Sequence, residues 1–296
     1  MGRDLFDGSA AARRVFETAD DVLGFSVSGL CFEGPEEELQ QTYNAQPALF
    51  TASLACLEAA RELGGLPAEP PVFVAGHSLG EYSALVAAGA LELADGLRLV
   101  RERGRLMQEA ATNSPGAMAA IIGLDEERVS AICVETGAEV CNLNAPGQTV
   151  IGGTERAVDA AMALALERGA QRGVRLKVSG GFHTSLMKPA AEGMARAVDG
   201  TPFRDPSVPV IANTTARPIT SAGELRTELV QQLTQSVQWQ RSVEFMKSQG
   251  VSAVIEFGPG RVLTGLTRRI DRSIAVRNVS DLAGASSQAT PSPAPP

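Results

Sequence analysis

The chain has 296 residues, of which 44% are hydrophobic and 20% are charged. Such a chain builds one α/β domain with an inserted subdomain, or two small domains, and its composition argues against a disordered or fibrous protein. The net charge of −8 argues against a protein that binds nucleic acid through the phosphate backbone.

Cysteine and histidine are scarce in this sequence. The four cysteines form no Cys-x-x-Cys pair, so a reducing compartment fits best; they are Cys31, Cys56, Cys133 and Cys141. With His77 and His183 as the only histidines, we predict no metal site. Neither a signal-peptide pattern nor a run of about 18 apolar residues occurs, so we expect no membrane segment and a cytoplasmic location.

The first part of the chain predicts helices around one strand. Residues 72–75, Val-Phe-Val-Ala, form an apolar run typical of a parallel strand buried on both faces. A turn follows at 76–80, and Asp95 is a candidate N-cap. Helices are predicted over residues 10–22, 46–63, 81–90 and 95–111.

A different pattern begins at residue 116. The predicted elements are a strand at 117–124, a helix at 125–136, strands at 140–143 and 149–152, a helix at 154–168 and a strand at 174–178. This β-α-β-β-α-β order is ferredoxin-like, so we expect residues 116–182 to form a subdomain inserted into an α/β core.

The core is expected to comprise residues 1–115 and 183–284. Residues 208–211 and 251–257 are its further buried-strand candidates, and 262–270 is predicted as the last helix. The tail 285–296 is rich in Ser, Pro and Ala, and is expected to be disordered.

Residues 76–80 read Gly-His-Ser-Leu-Gly and match the Gly-x-Ser-x-Gly nucleophile elbow. The glycines permit the strained turn that lifts a serine Oγ above a sheet, and a strand and a helix are predicted on either side. An ordinary glycine turn is the alternative, which that context disfavours. Ser78 is thus the candidate nucleophile, and Leu79 N–H at the helix N-terminus is the natural donor to an oxyanion.

A serine hydroxyl needs a base, which near neutral pH is usually histidine. His77 adjoins Ser78, but neighbouring side chains on such a turn point apart, so His77 is expected to pack or hydrogen-bond beneath the elbow. His183 lies in a glycine-rich loop after the last strand of the predicted subdomain. A lone histidine is more often structural, but an elbow serine without a rival base makes His183 the candidate base.

Arg103 falls near the centre of the apolar arc of the helix that starts at Asp95. A buried guanidinium requires an anion, which is either a protein carboxylate or the carboxylate of a substrate held by the two-N–H fork. On the opposite face of the helix, the arginines are expected to be solvated; they are Arg98, Arg101 and Arg105.

Five ordered motifs resemble those of the bacterial and organellar malonyl-CoA:acyl-carrier-protein transacylases, within a similarity over about residues 1–280. They are Gly76-His-Ser-Leu-Gly-Glu-Tyr-Ser-Ala84, Gly116-Ala-Met-Ala-Ala-Ile-Ile-Gly123, Asn144-Ala-Pro-Gly-Gln148, His183-Thr-Ser-Leu-Met-Lys-Pro189 and Glu256-Phe-Gly-Pro-Gly260. The resemblance implies an α/β-hydrolase-like core with a parallel sheet and an inserted ferredoxin-like subdomain.

Residue roles also follow from the resemblance. It implies a dyad of Ser78 and His183 without an acidic third member, and a main-chain carbonyl of Gln232 that orients the histidine. Arg103 matches the arginine that binds the malonyl carboxylate, and Gln46 matches a residue near the pocket.

Phe182 resembles the malonyl-type pattern of related polyketide acyltransferases, in which a bulky ring crowds the α-methyl group of methylmalonyl.

The resemblance also implies one departure. The family opens with a buried strand that ends in Gly-Gln-Gly, and that glutamine supplies the second oxyanion N–H. This sequence begins at Met1-Gly2, beyond that point. Of a misplaced start and a damaged form, we favour the misplaced start and expect a longer natural protein.

The predicted reaction is ping-pong transfer of malonyl from malonyl-CoA, through an ester on Ser78, to the phosphopantetheine thiol of acyl carrier protein in fatty-acid or polyketide synthesis. No cofactor is expected, and we expect a monomer. Two alternatives stay open. One is a serine thioesterase or esterase of similar architecture. The other is a scaffold that binds CoA or a carrier protein and is catalytically impaired because the first strand is absent.

Overall fold

A computed structural model describes residues 1–288 of the chain. The helices are α1 (Arg3–Gly8), α2 (Ala10–Leu23), α3 (Val27–Glu33), α4 (Glu36–Leu39), α5 (Thr42–Glu62), α6 (Gly80–Ala87), α7 (Leu93–Asn113), α8 (Glu126–Thr136), α9 (Glu155–Glu167), α10 (Lys188–Asp199), α11 (Ala222–Gln231), α12 (Trp239–Ser248), α13 (Val262–Ile270) and α14 (Leu282–Ser286). The strands are β1 (Val74–Ala75), β2 (Ala117–Ile122), β3 (Glu139–Ala145), β4 (Gln148–Gly153), β5 (Arg172–Arg175), β6 (Val210–Ile211), β7 (Pro218–Ile219), β8 (Ala253–Phe257) and β9 (Ala275–Val279). A single 3-10 turn, Ser185–Met187, precedes α10.

Helices α5 and α7 lie at the centre of the largest apolar core. Small residues on α5, such as Ala48, Ala52 and Ala55, are almost fully buried and let α7 approach closely. Gly104 of α7 makes the closest approach, because a Cβ there would lie 2.8 Å from Tyr43 Cα. The two long helices are therefore held at a fixed spacing.

The α/β class and the parallel strands are as predicted. Strand β1 pairs in parallel with β6, to which β7 adds antiparallel, and β8 pairs in parallel with β9. The prediction that 72–75 is buried on both faces is wrong, because Val72 is 63% exposed and β1 is only partly buried. The buried strand predicted at 251–257 is likewise only partly buried in β8. Among residues 1–288, β1 and β8 each pair along one edge only.

The predicted β-α-β-β-α-β order is present in residues 117–175. The four strands form one antiparallel sheet in the order β3-β4-β2-β5. Alternate residues of β2, namely Ala117, Ala119 and Ile121, pack against α8 and α9, as the two-residue period of a strand requires. The boundaries at 116 and 182 stay a prediction, which this sheet supports.

The small sheet is tied to the rest of the chain at its β3 edge. Leu143 N–H donates to Val237 O, and Val237 N–H donates to Cys141 O. Helix α12 packs on the same strand. This attachment joins the β3 edge of the sheet to the segment at Val237 and to α12.

The end of the described chain differs from the prediction of a disordered tail from residue 285 onward. Helix α14 runs to Ser286, and Ala285 is fully buried, because this turn packs against α5. Residues 289–296 of that predicted tail lie outside the described residues. Within residues 1–288, no helix has both the length and the apolarity that a membrane span requires.

The close contact at Gly104 yields a stability prediction. Changing Gly104→Ala should lower the free energy of unfolding by about 1–3 kcal/mol, because the added Cβ meets backbone that cannot move aside. Changing Gly265→Ala in α13 is the matched control, since a Cβ there meets nothing within 4 Å. This change should raise the free energy of unfolding by about 0.5–1 kcal/mol, because alanine favours a helix interior over glycine. Urea denaturation measures both, and equal effects of the two changes would contradict this packing role.

Candidate active site

The turn between β1 and α6 forms a tight elbow at Ser78. Gly76 is required there, because a Cβ would lie 2.0 Å from the carbonyl of Gly80. Ser78 has a φ of 51°, a left-handed conformation that costs a non-glycine residue about 1–3 kcal/mol. The side chain of Asn213 holds this turn: its Oδ1 accepts from Ser78 N–H at 2.7 Å, and its Nδ2 donates to Gly76 O at 2.7 Å.

The structure brings His183 to Ser78. The distance from Ser78 Oγ to His183 Nε2 is 2.8 Å, and Nδ1 lies 2.7 Å from the main-chain oxygen of Gln232. A carbonyl oxygen only accepts hydrogen bonds, so Nδ1 carries the proton and Nε2 is the acceptor for the serine hydroxyl. The imidazole has no carboxylate partner among residues 1–288, in keeping with a dyad.

The imidazole of His183 is neutral. Burial, and after it the positive charge of Arg103, lower the pKa of His183 from 6.5 to about 3, although the bond to Gln232 O opposes both. A neutral imidazole is the form that accepts a proton from Ser78, so the site holds its base in the working state.

Arg103 lies in the interior and is 1% exposed. Its Nη1 donates to Gln46 Oε1 at 2.8 Å, and its Nη2 donates to Ser78 Oγ at 3.0 Å and to Gln232 Oε1 at 2.9 Å. These acceptors are neutral, and Arg103 makes no ion pair with a carboxylate within the described chain. Burial lowers the pKa of Arg103, and the electrostatic effects of Tyr82 and Glu81 oppose this only in part, because no carboxylate forms a direct ion pair with the guanidinium.

The other arginines of α7 divide into two kinds. Arg98 and Arg105 are exposed and pair with acidic neighbours on the same helix, as predicted for solvated charges. The prediction is wrong for Arg101, which donates to Tyr43 O and lies over the rings of Phe25 and Tyr43. Its planar guanidinium stacks on aromatic faces, which an analysis of apolar positions does not register.

Gln46 and Gln232 both contact the guanidinium of Arg103. Gln46 is 6% exposed and donates through Nε2 to the sulfur of Met107, which fixes its oxygen toward Arg103. Gln232 is fully buried, and its Nε2 donates to Ser78 O at 2.9 Å. Both predicted residues therefore contact the candidate catalytic groups directly.

Leu79 and Phe182 occupy different surroundings. No acceptor within residues 1–288 binds the Leu79 N–H, so this donor is free to meet an oxyanion. The ring of Phe182 packs on a small apolar cluster of the β2–β4 sheet that includes Met118 and Cys141. That packing explains an aromatic residue here, and its effect on acyl-group choice stays a prediction.

His77, Asn213 and Glu81 complete the site. His77 Nε2 lies 2.8 Å from Asn144 Oδ1 beneath the elbow, as expected for the non-catalytic histidine. Asn213 was missed, although a polar residue just after a predicted parallel strand lies at the sheet edge where sites form. Glu81 was also missed: it is 1% exposed, and burial together with Glu228 raises the pKa of its carboxyl.

The cysteines take no part in the dyad. The four cysteines are buried and unpaired. In the part of the chain that the structure describes, no three His, Cys, Asp or Glu side chains are placed to hold a metal ion.

A serine on a strand–turn–helix elbow, hydrogen-bonded to a buried neutral histidine, defines the class of α/β enzymes that use a serine nucleophile. Comparison with known proteins narrows this class. The family described as acyl transferase domain matches residues 1–288. The chain belongs to this family and, within it, to the malonyl CoA-acyl carrier protein transacylases, so the resemblance drawn from the motifs is confirmed.

Curated relatives match over most of their length. The malonyl CoA-acyl carrier protein transacylase of Bacillus subtilis (strain 168) is 46% identical over 286 residues, which cover 95% of this chain and 89% of that protein. The protein of the same name from Escherichia coli (strain K12) is 46% identical over 274 residues, covering 91% and 88%.

Solved structures agree in fold. The acyl-carrier-protein-S-malonyltransferase of Bartonella henselae superimposes with a TM-score of 0.92 at 43% identity, covering 96% of this chain and 92% of that one. A malonyl-transacylase solved in complex with its type II PKS acyl-carrier protein gives a TM-score of 0.93 at 43% identity, covering 97% and 94%.

The buried imidazole predicts how stability depends on pH. Unfolded His183 binds a proton below about pH 6.5, whereas the folded residue stays neutral until about pH 3, so the unfolded state takes up more protons and stability falls as the pH falls. Between about pH 6 and about pH 5, His183→Gln should lose roughly 1 kcal/mol less of its free energy of unfolding than the parent chain. Urea denaturation at the two pH values measures this difference, and equal losses would contradict the buried neutral state.

Proposed function

We propose that this chain transfers a malonyl group from malonyl-CoA to the phosphopantetheine thiol of an acyl carrier protein. One observation supports the acyl group in particular: Arg103 is buried without a counter-carboxylate, and its Nη2 lies 3.0 Å from Ser78 Oγ. A cation at that place is unsatisfied until an acyl group that carries its own carboxylate enters.

Acylation begins when Ser78 Oγ attacks the thioester carbonyl and His183 Nε2 takes the hydroxyl proton. The carbonyl oxygen becomes an oxyanion, to which Leu79 N–H donates. When the carbonyl re-forms, the carbon–sulfur bond breaks, the proton moves from His183 to the CoA sulfur, and malonyl-Ser78 is left behind.

Transfer to the carrier repeats these steps in reverse order. His183 takes the proton of the phosphopantetheine thiol, and the thiolate attacks the ester carbonyl. The carbon–oxygen bond to Ser78 breaks, and the serine oxygen recovers the proton from His183. Because CoA leaves before the carrier thiol reacts, the kinetics are ping-pong.

Arg103 binds the malonyl carboxylate in this proposal. A guanidinium offers parallel N–H groups that match the two oxygens of a carboxylate, and the interaction is strong where water is excluded. The amide oxygens of Gln46 and Gln232 accept hydrogen bonds from Nη1 and Nη2 of Arg103 and so hold the guanidinium in position. Acetyl lacks a carboxylate and leaves Arg103 uncompensated, so the site favours malonyl.

The wider setting of the reaction is also part of the proposal. A related malonyl-transacylase is solved with its type II PKS acyl-carrier protein, which supports a carrier protein as partner here in fatty-acid or polyketide synthesis. The cycle needs no cofactor. Four unpaired buried cysteines favour a reducing, cytoplasmic compartment. Phe182 is proposed to disfavour methylmalonyl.

Two alternatives make different predictions. A serine hydrolase normally orients its histidine with a carboxylate, whereas His183 Nδ1 donates to the main-chain oxygen of Gln232. A scaffold that binds CoA or a carrier protein would form no covalent intermediate. The adduct on Ser78 separates both from the transferase.

Incubation with malonyl-CoA should add one malonyl group to the chain, as measured by intact mass. Ser78→Ala should form no adduct, because the nucleophile is gone, whereas Ser83→Ala on α6 should be acylated like the parent chain. Addition of acyl carrier protein should discharge the adduct to the carrier, and discharge to water instead would favour the hydrolase. Absence of an adduct, or an adduct that persists in Ser78→Ala, would refute the proposal.

Arg103→Ala should lower kcat/KM for malonyl-CoA by about two to three orders of magnitude, the equivalent of about 2.7–4.1 kcal/mol for losing a buried charge contact. Activity with acetyl-CoA should fall far less, so the preference for malonyl disappears. Arg105→Ala, on the exposed face of the same helix, is the control and should leave both activities unchanged. An unchanged malonyl preference in Arg103→Ala would exclude Arg103 as the carboxylate-binding group.

A further inference from the structure

Glu81 is a buried carboxylate that the proposed mechanism does not use. It lies on α6, one helical turn after Ser78, and is 1% exposed. Both of its oxygens accept hydrogen bonds: Oε1 from Asn213 N–H at 3.0 Å, and Oε2 from Gln232 Nε2 at 2.5 Å. A carboxylate hidden at such cost, with two defined partners, indicates a specific task.

The two partners of Glu81 make hydrogen bonds to the elbow, to the base His183 and to Arg103. Asn213 holds the elbow on both sides of His77, through Gly76 O and Ser78 N–H. Gln232 orients the base by accepting from His183 Nδ1 through its main-chain oxygen. Its side-chain oxygen accepts from Arg103. A single hydrogen-bonded residue therefore connects Glu81 to the nucleophile, to the base and to the arginine.

The direction of the Gln232 amide is set by Glu81 together with Ser78 O and Arg103. An amide has a donor end and an acceptor end, and Gln232 Nε2 uses its two hydrogens on Glu81 Oε2 and Ser78 O. Both of those atoms only accept, so Oε1 must face Arg103. If the amide turned over, its NH₂ group would oppose the guanidinium and its oxygen would oppose Ser78 O.

We propose that Glu81 is a positioning residue that fixes the Gln232 amide, and through it the guanidinium of Arg103, in the orientation that receives the acyl carboxylate. The role in substrate choice rests on the proposed function, whereas the role in fixing Gln232 does not.

A second buried carboxylate nearby provides a matched control. Glu228 is 4% exposed, and its oxygens accept from the N–H and the hydroxyl of Thr214. Its side chain makes no hydrogen bond to the Gln232 side chain or to the elbow within residues 1–288, and the two residues are joined only through the helical bond from Gln232 N–H to Glu228 O. Loss of the ionisable carboxyl group is therefore common to Glu81→Gln and Glu228→Gln, whereas loss of the acceptor for the Gln232 side chain belongs to Glu81→Gln alone.

Glu81→Gln replaces one acceptor oxygen by a donor. Whichever way the new amide turns, an NH₂ group opposes either Asn213 N–H or Gln232 Nε2. Glu81→Asp keeps the charge but is shorter by one methylene, about 1.5 Å, so it cannot reach both partners. A positioning role predicts a defect in both Glu81 variants and none in Glu228→Gln, whereas a role of charge alone predicts a defect in the two glutamine variants and none in Glu81→Asp.

The experiment measures kcat/KM for malonyl-CoA and for acetyl-CoA in the parent chain and the three variants. Glu81→Gln and Glu81→Asp should each lower the ratio of malonyl to acetyl activity about tenfold, and Glu228→Gln should leave it within twofold, since about 1.4 kcal/mol of lost orientation corresponds to a factor of ten. A ratio unchanged in Glu81→Asp, or lowered equally in Glu228→Gln, would overturn the proposal.

Crystal structures of the variants test the positioning role without activity. In both Glu81 variants, the Gln232 side-chain oxygen should move beyond hydrogen-bond distance of Arg103 Nη2, and in Glu228→Gln it should stay within it. If the parent chain transfers no malonyl group, the proposed function fails, and the position of the Gln232 amide still decides the role of Glu81. An unmoved amide in Glu81→Asp would overturn it.

Discussion

The buried charge of Arg103 is the constraint around which the site is built. Removing a guanidinium from water costs several kcal/mol, which an ion pair with the protein normally offsets. Here the acceptors are two amides and a hydroxyl, which satisfy the geometry of the N–H groups without neutralising the charge. Glutamate in place of Gln46 or Gln232 would quench the charge and compete with the carboxylate of a substrate. The choice of amide over carboxylate therefore keeps the cation available.

Much of the fold could be predicted from the sequence, because local signals and the global structure agree in most segments. The β-α-β-β-α-β order is present as predicted. Helix α11 was missed although the sequence contains the capping-box pattern of Ser221 and Glu224, and Ser221 Oγ accepts from Glu224 N–H in the structure. Burial of residues 72–75 could not be predicted, because an apolar run reports affinity for a core and not which neighbouring strands are present to cover it.

The residues of the candidate site also fall into those that the sequence indicates and those that only the structure reveals. Ser78, His183 and Arg103 could be found because each residue type carries chemistry that its neighbours in the sequence make conspicuous. Glu81 could not, and Asn213 only through its place just after a predicted strand, since their roles lie in hydrogen bonds between segments that are far apart in the chain. A motif shows which residues are unusual in one stretch, but a network of buried polar groups exists only after the fold has brought its members together.

The same positive charge acts on both partners of the proton transfer. Arg103 Nη2 donates to Ser78 Oγ, which stabilises the developing alkoxide, while its field adds to burial in lowering the pKa of His183 to about 3 and so weakens the base. Under the proposed function, a malonyl carboxylate bound at Arg103 would oppose that field, which is the second cause of the lowered pKa after burial. An acetyl thioester would bring no such charge. In that proposal, recognition of the acyl carboxylate and strengthening of the base are one electrostatic event, and selectivity would follow in the chemical step as well as in binding.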